Sequence, residues 1–159
     1  MERPLTCRPP RQLPLDIPGF VNREDDQREL DDLLAAVDAL GKETASAVVV
    51  SAIAGAPGIG KTALAIHWAR RRRDHFPDGD LYVDMRGYGP GLPLTATEAL
   101  AGFLRALGVP PEAIPDDVGQ RAALYRSMLD GRSLLVVIDN AASTAACGLC
   151  CPRRPAASR

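Results

Sequence analysis

The sequence has no apolar run long enough to span a bilayer, and its proline-broken N-terminus lacks the apolar stretch of a secretory signal. Neither sign of charge is in excess, because 19 basic and 20 acidic residues leave a net charge of −1. Overall charge therefore does not attract the chain to nucleic acid or to a membrane surface. We expect a cytoplasmic protein without a membrane partner.

The sequence offers little at the spacing of metal ligands. The CxxC spacing of Cys147 and Cys150 has neither a second pair nor a histidine nearby. A structural zinc site needs four such ligands, so this spacing is a weak indication of metal or redox chemistry. The alternative, an unstructured tail over residues 143–159, is the interpretation that we adopt.

An eight-residue stretch, GAPGIGKT, lies between an apolar run at 47–53 and a helical pattern at 63–73. It fits the pattern G-x-x-x-x-G-K-[ST] in the order strand, glycine loop, helix, which is typical of phosphate-binding loops. Glycine lets the backbone turn tightly, so that N–H groups and a helix N-terminus face an anion. A chance match is expected in roughly one chain of this length per hundred. The predicted phosphate-binding residues are Gly55, Ala56, Pro57, Gly58, Ile59, Gly60, Lys61 and Thr62.

Two of these residues and a later carboxylate predict a magnesium site. In such loops the lysine contacts the β- and γ-phosphates and the hydroxyl ligates Mg²⁺, which assigns these roles to Lys61 and Thr62. A second apolar run, 134–138, ends in Asp139. A buried parallel strand that delivers an aspartate at its carboxyl end is the Walker B arrangement, and Asp139 would hold the metal through water. The alternative is an aspartate that only begins a turn.

Strand and helix patterns alternate along the chain. Strands are predicted at 47–53, 81–85 and 134–139, and helices at 22–41, 63–73, 95–107 and 117–130, the third beginning with the capping-box spacing of Thr95 and Glu98. This alternation predicts a three-layer α/β fold with a parallel sheet. The run Arg70 to Arg73 suits the last turn of a helix. A nucleic-acid site there is less favoured, because no aromatic residues interleave the arginines.

The chain of 159 residues is long enough for one domain or for part of a larger one. We predict a proline-rich linker or disordered arm over residues 1–18, a nucleotide-binding domain over 19–142, and the tail that follows. The linker prediction depends on its prolines and its lack of periodicity.

Five segments together resemble an NB-ARC domain, a STAND-class P-loop NTPase, in the form found in bacterial SARP-type transcriptional regulators. The segments are RQLPLDIPGFVNRE, VVVSAIAGAPGIGKTALAIHWARR, FPDGDLYVDMRGY, ALAGFLRALGVPPEAIP and LLVVIDNA, within residues 11–142. The resemblance implies binding of ATP or ADP with Mg²⁺ and a conformational switch. It places Phe20, Val21 and Arg23 near the adenine and phosphates, and it implies the strand order 2-3-1 with two further strands beyond strand 1.

The chain departs from that family at several points. Asn22 stands where the family usually has glycine, and Asn140 where many relatives carry a second acid that orients the attacking water. An amide does not accept a proton as a carboxylate does, which argues against hydrolysis. The resemblance ends after about Thr144, so the chain looks like a fragment truncated after the Walker B strand, without a DNA-binding element.

These observations predict an ATP/ADP-binding regulatory switch with slow or no hydrolysis. Two alternatives remain open: an active P-loop ATPase, and a non-functional fragment that does not fold alone. No fourth strand is encoded to pair with the apolar first strand. We therefore predict that the chain aggregates or self-associates through the outer edge of that strand.

Overall fold

The computed structural model describes residues 8–15, 24–39, 48–53, 61–87 and 91–141. Four helices and three strands occur in these ranges. The helices are α1 (Glu24–Ala39), α2 (Lys61–Arg71), α3 (Ala96–Ala106) and α4 (Val118–Leu129); the strands are β1 (Val48–Ile53), β2 (Gly79–Asp84) and β3 (Leu134–Ala141). Short 3₁₀ turns occupy Arg73–His75 and Pro111–Ala113. Within the described ranges, no helix is both long and apolar enough to cross a membrane.

The three strands form one parallel sheet in the order β1-β3-β2. The α/β class and the order 2-3-1 predicted above are therefore confirmed. β3 is the central strand, and its apolar residues are 0–1% exposed from Leu134 to Ile138, as expected for a strand covered on both faces. β1 pairs with β3 only, and none of the described residues lies on its outer side as a strand. Self-association through that edge stays a prediction.

Each face of the sheet carries its own apolar core. On one face, α3 and α4 pack against β2 and β3, and the rings of Phe103 and Tyr125 stack at 5.6 Å between centroids. On the other face, α1 and α2 pack against Leu135 and Val137 of β3, with Trp68 buried between them. A helix layer on each side of a parallel sheet gives the predicted three layers.

The helix ends follow the sequence signals closely. Thr95 and Glu98 form the predicted capping box, in which each side chain accepts from the other's backbone N–H. Asp117 caps α4 by accepting from the Gln120 N–H at 2.9 Å. The main difference is in α2, which begins two residues earlier than predicted and ends at Arg71, where the chain tightens into the turn Arg73–His75.

Residues 8–15 differ most from their expectation, because they lie against the sheet rather than forming a free arm. The segment runs parallel to the outer edge of β2, with a bridge between Arg11 and Asp80. Asp80 donates its N–H to the Pro10 carbonyl at 2.8 Å and accepts from the Gln12 N–H at 3.2 Å. Leu13 is buried, at 6% exposure, in the core beneath α1 and α2. The prolines do not prevent this pairing, because the N–H groups that bond to β2 come from other residues.

Candidate functional site

Asp139 lies at the carboxyl end of β3 and is only 4% exposed. It pairs in register with Asp84, the last residue of β2, so two carboxylates mark the same edge of the sheet. The Asp139 Oδ2 accepts from the Tyr82 hydroxyl at 3.0 Å, and its Oδ1 accepts from the backbone N–H of Asn140 at 2.9 Å. Both carboxylate oxygens are thus oriented by hydrogen bonds.

Tyr82 reaches Asp139 because of the strand register. It pairs with Val137, two residues before the Asp84–Asp139 pair, so its side chain lies on the same face as Asp139. Burial raises the pKa of the Tyr82 hydroxyl well above its ordinary value, and the charges of Asp139 and Asp84 raise it further. The hydroxyl therefore keeps its proton at neutral pH and acts as the donor in this bond.

Asp84 organises the loop ends beside Asp139. Its Oδ1 accepts from the backbone N–H of Arg86 at 2.8 Å and from the side-chain amide of Asn140 at 3.0 Å. Arg86 and Asn140 both have positive φ, 50° and 53°, a conformation that is uncommon for residues other than glycine. The two turns are joined by the Gly87 N–H, which donates to the Asn140 carbonyl at 2.8 Å.

The amide of Asn140 has a defined orientation. A carboxylate only accepts hydrogen bonds, so the NH₂ group of Asn140 must face Asp84 and the amide oxygen must face away from it. The left-handed backbone of Asn140 breaks the strand alternation and brings this side chain toward β2. Position 140 therefore presents a neutral acceptor at the edge of the sheet, where a second acid would present a charged one.

Helix α2 runs in the opposite direction to the strands. The 3₁₀ turn that follows its C-terminal end lies at the amino end of β2, where Arg73 Nε donates to Asp80 Oδ2 at 3.0 Å. Its core residues Ala65 and Trp68 pack over Leu135 and Val137. The N-terminus of α2, at Lys61, therefore lies toward the carboxyl edge of the sheet, which is the edge that carries Asp139.

The structure brings together only part of the predicted site. Lys61 and Thr62 form the first turn of α2, but their side chains lie outside what the structure describes. Residues Gly55 to Gly60, Phe20, Val21 and Arg23, and the four cysteines also lie outside the described ranges, so their predicted roles stay predictions. Among the described residues, no group of three or more His, Cys, Asp or Glu side chains is placed to hold a metal ion.

Sequence reasoning missed Tyr82 and Asp84. Both lie in the strand predicted at 81–85, and the predicted order 2-3-1 already placed that strand beside β3. The pairing register was the missing signal, because it determines which β2 residues face the end of β3. The contact of Tyr82 with Asp139 spans 57 positions of sequence, so local pattern gives no sign of it.

Comparisons with known proteins identify two similar regulators. The chain is 50% identical over 137 residues, 86% of its length, to the regulatory protein AfsR of Streptomyces coelicolor. It is 48% identical over 132 residues, 83% of its length, to the regulatory protein AfsR of Streptomyces griseus. The chain spans about one seventh of each of these proteins, 14% and 13%. No family model matches the chain, and no solved structure matches it.

Proposed function

We propose that the chain binds ADP or ATP with Mg²⁺ at the carboxyl edge of its sheet, as the nucleotide-responsive switch of a regulatory protein. The observation that carries this proposal is the convergence of two elements at that edge. The N-terminus of α2, which directly follows the glycine loop, and the buried carboxylate of Asp139 both lie there. Ligands of open α/β sheets bind in this position, beyond the carboxyl ends of the strands.

In this proposal, the loop from Gly55 to Thr62 surrounds the phosphates with backbone N–H groups. Lys61 contacts the β- and γ-phosphates, while Thr62 and Asp139 face the metal ion. The donor set suits Mg²⁺, which binds few protein oxygens and keeps several waters. Phe20, Val21 and Arg23 lie near the adenine, as the resemblance to NB-ARC domains implies.

The proposed switch turns over slowly or not at all. Hydrolysis needs a group that orients and deprotonates the attacking water. The residue after Asp139 is an asparagine whose NH₂ group is bound to Asp84. Its amide oxygen is a weaker acceptor than a carboxylate, so we expect purified chain to release little phosphate from ATP. The similarity to two regulatory proteins supports a regulatory rather than a metabolic role.

The first test is the substitution Lys61→Ala. We expect a loss of about 1.5–3 kcal/mol in nucleotide binding, because a charge-assisted contact to phosphate is removed. Calorimetric titration with ADP measures it. Arg126→Ala is a matched control, since Arg126 is an exposed residue of α4 and removal of its charge leaves the proposed site intact. Equal affinities in parent and Lys61→Ala would refute the phosphate-loop assignment.

The second test addresses the metal. Thr62→Ala and Asp139→Asn should each reduce the gain in ADP affinity that Mg²⁺ gives, while binding in chelator stays near that of the parent. The expectation follows because both residues are assigned to the metal and not to the phosphates. If both variants keep the full magnesium dependence, the assignment of Asp139 to the metal is wrong.

A further inference from the structure

The hydroxyl of Tyr82 is the contact that β2 makes with the proposed metal carboxylate. It donates to Asp139 Oδ2 at 3.0 Å from a partly buried ring that packs against the apolar core on the α1 and α2 side of the sheet. The two residues belong to neighbouring strands and are offset by two register positions, about 6.6 Å along the strand. A tyrosine side chain spans this offset, which shorter hydroxyl side chains do not.

The bond restricts rotation of the Asp139 carboxylate. One oxygen accepts from the Tyr82 hydroxyl and the other from the Asn140 N–H, so the plane of the group is held at two points. A carboxylate oxygen can accept more than one partner, so an orienting hydrogen bond and a metal-bound water are compatible at the same oxygen. Hydrogen bonds of this kind orient the ligands of metal sites and tune their affinity.

We propose that Tyr82 is a positioning residue, whose hydroxyl holds the Asp139 carboxylate in the orientation that receives hydrated Mg²⁺. This inference rests on the proposed function. The phosphate-loop and Walker B patterns assign no residue of β2 to metal binding. This proposal does. Tyr82 itself contacts neither the nucleotide nor the ion in this proposal.

The test is the substitution Tyr82→Phe, which removes the hydroxyl and keeps the ring. ADP affinity is measured by calorimetry in chelator and in saturating Mg²⁺, and the ratio of the two is compared with that of the parent chain. We expect the ratio to fall about tenfold, the lower end of the range for partners that orient metal ligands, with unchanged affinity in chelator. A purely structural role would weaken binding equally in both conditions and would overturn the proposal.

Two further variants make the result specific. Gln12→Ala is the matched control, because the Gln12 side chain accepts from the Tyr82 backbone N–H at 3.2 Å and does not involve the hydroxyl. It should keep the parent ratio. Tyr82→Phe combined with Asp139→Asn is the second variant: because the hydroxyl acts only through Asp139, the double variant should have the magnesium dependence of Asp139→Asn alone, and a further loss would contradict the positioning role.

The outcomes also separate this inference from the proposed function. If Asp139→Asn loses the magnesium effect and Tyr82→Phe keeps it, the positioning role alone is wrong. If Asp139→Asn keeps the effect as well, the proposed metal role of Asp139 fails. Thermal melting of each variant is recorded first, and a Tyr82→Phe chain that is unfolded at 25 °C would show that the hydroxyl holds the fold, which also overturns the proposal.

Discussion

Two buried carboxylates on the same face of the sheet have very different surroundings. Asp80, near the amino end of β2, is 0% exposed and accepts from the guanidinium groups of Arg11 and Arg73 and from the Leu13 N–H. Asp139, at the carboxyl end of β3, is 4% exposed and accepts from a tyrosine hydroxyl and a backbone N–H. The first joins three separate segments of chain, while the second is oriented at the edge where a ligand would approach.

The difference shows how one chemical group serves two purposes. A buried charge is tolerated only when partners compensate the lost hydration. At Asp80 the compensation comes from two cations, and the carboxylate of β2 connects the N-terminal segment with the 3₁₀ turn that follows α2. At Asp139 a hydroxyl and a backbone N–H hold the orientation of the carboxylate at the edge of the sheet, which suits a residue that takes part in metal binding.

The largest expected difference in stability is obtained by replacing aspartate with asparagine at position 80 and, separately, at position 139. Asp80→Asn should lower the free energy of unfolding by about 3 kcal/mol, because both guanidinium groups lose their anionic partner in a buried setting. Asp139→Asn should cost about 1 kcal/mol or less, since an amide oxygen still accepts from Tyr82. Urea unfolding at pH 7 measures both values, and equal losses would remove the distinction between a structural and a ligand-facing carboxylate.

A smaller loss of stability is expected when one of the arginines that contact Asp80 is replaced. Arg73→Met should cost about 2 kcal/mol, because the charge-assisted bond from its Nε to buried Asp80 is lost while the side-chain stem is retained. Arg71→Met, on an exposed neighbour, should change the stability by no more than about 0.5 kcal/mol. Similar values for the two variants would mean that Arg11 alone compensates Asp80.

The smallest loss of stability is expected at a third carboxylate, Asp31. Like Asp80 it contacts an arginine, but it is partly exposed to solvent. Asp31 accepts from Arg72 and from the Trp68 indole N–H at 2.8 Å, and its side chain is 37% exposed. The bond from Arg72 holds the pKa of Asp31 below its ordinary value, with a further contribution from Trp68. Exposure reduces the benefit, so Asp31→Asn should cost about 0.5 kcal/mol at pH 7.

The pH dependence of that effect has a definite sign. Because the folded pKa of Asp31 lies below the unfolded one, its contribution is present above the unfolded pKa and disappears as the pH falls through the folded pKa. The stability difference between parent and Asp31→Asn should therefore be constant near neutral pH, begin to decline near the unfolded pKa of about 4 and vanish only below the folded pKa. A difference that grows on acidification would contradict this assignment.

Local pattern predicted the elements well. The capping box of Thr95 and Glu98 specified where α3 begins, and the apolar run before Asp139 specified a strand buried on both faces. These features depend on residues a few positions apart, so the sequence contains all the information needed. The resemblance to a known family supplied the strand order, which local pattern does not determine.

The contacts that define the sites depend on distant residues. Asp80 and Arg11 are 69 positions apart, and Tyr82 and Asp139 are 57 apart. Their pairing follows from the register of neighbouring strands, and a shift by one residue would turn each side chain to the other face. The proline content of residues 8–15 also favoured a linker, although three non-proline residues, Arg11, Gln12 and Leu13, donate the hydrogen bonds that run from this segment to β2.

The docked segment has a consequence for the order of folding. Arg11 and Leu13 leave the ribosome long before Asp80 and Arg73, so the contacts around Asp80 stay incomplete until β2 has been synthesised. Closing a loop of this size carries an entropy cost that grows only with the logarithm of its length, but contacts between residues so far apart in sequence form slowly. Residues 11–13, although synthesised before β2, therefore take their place in the fold only after it.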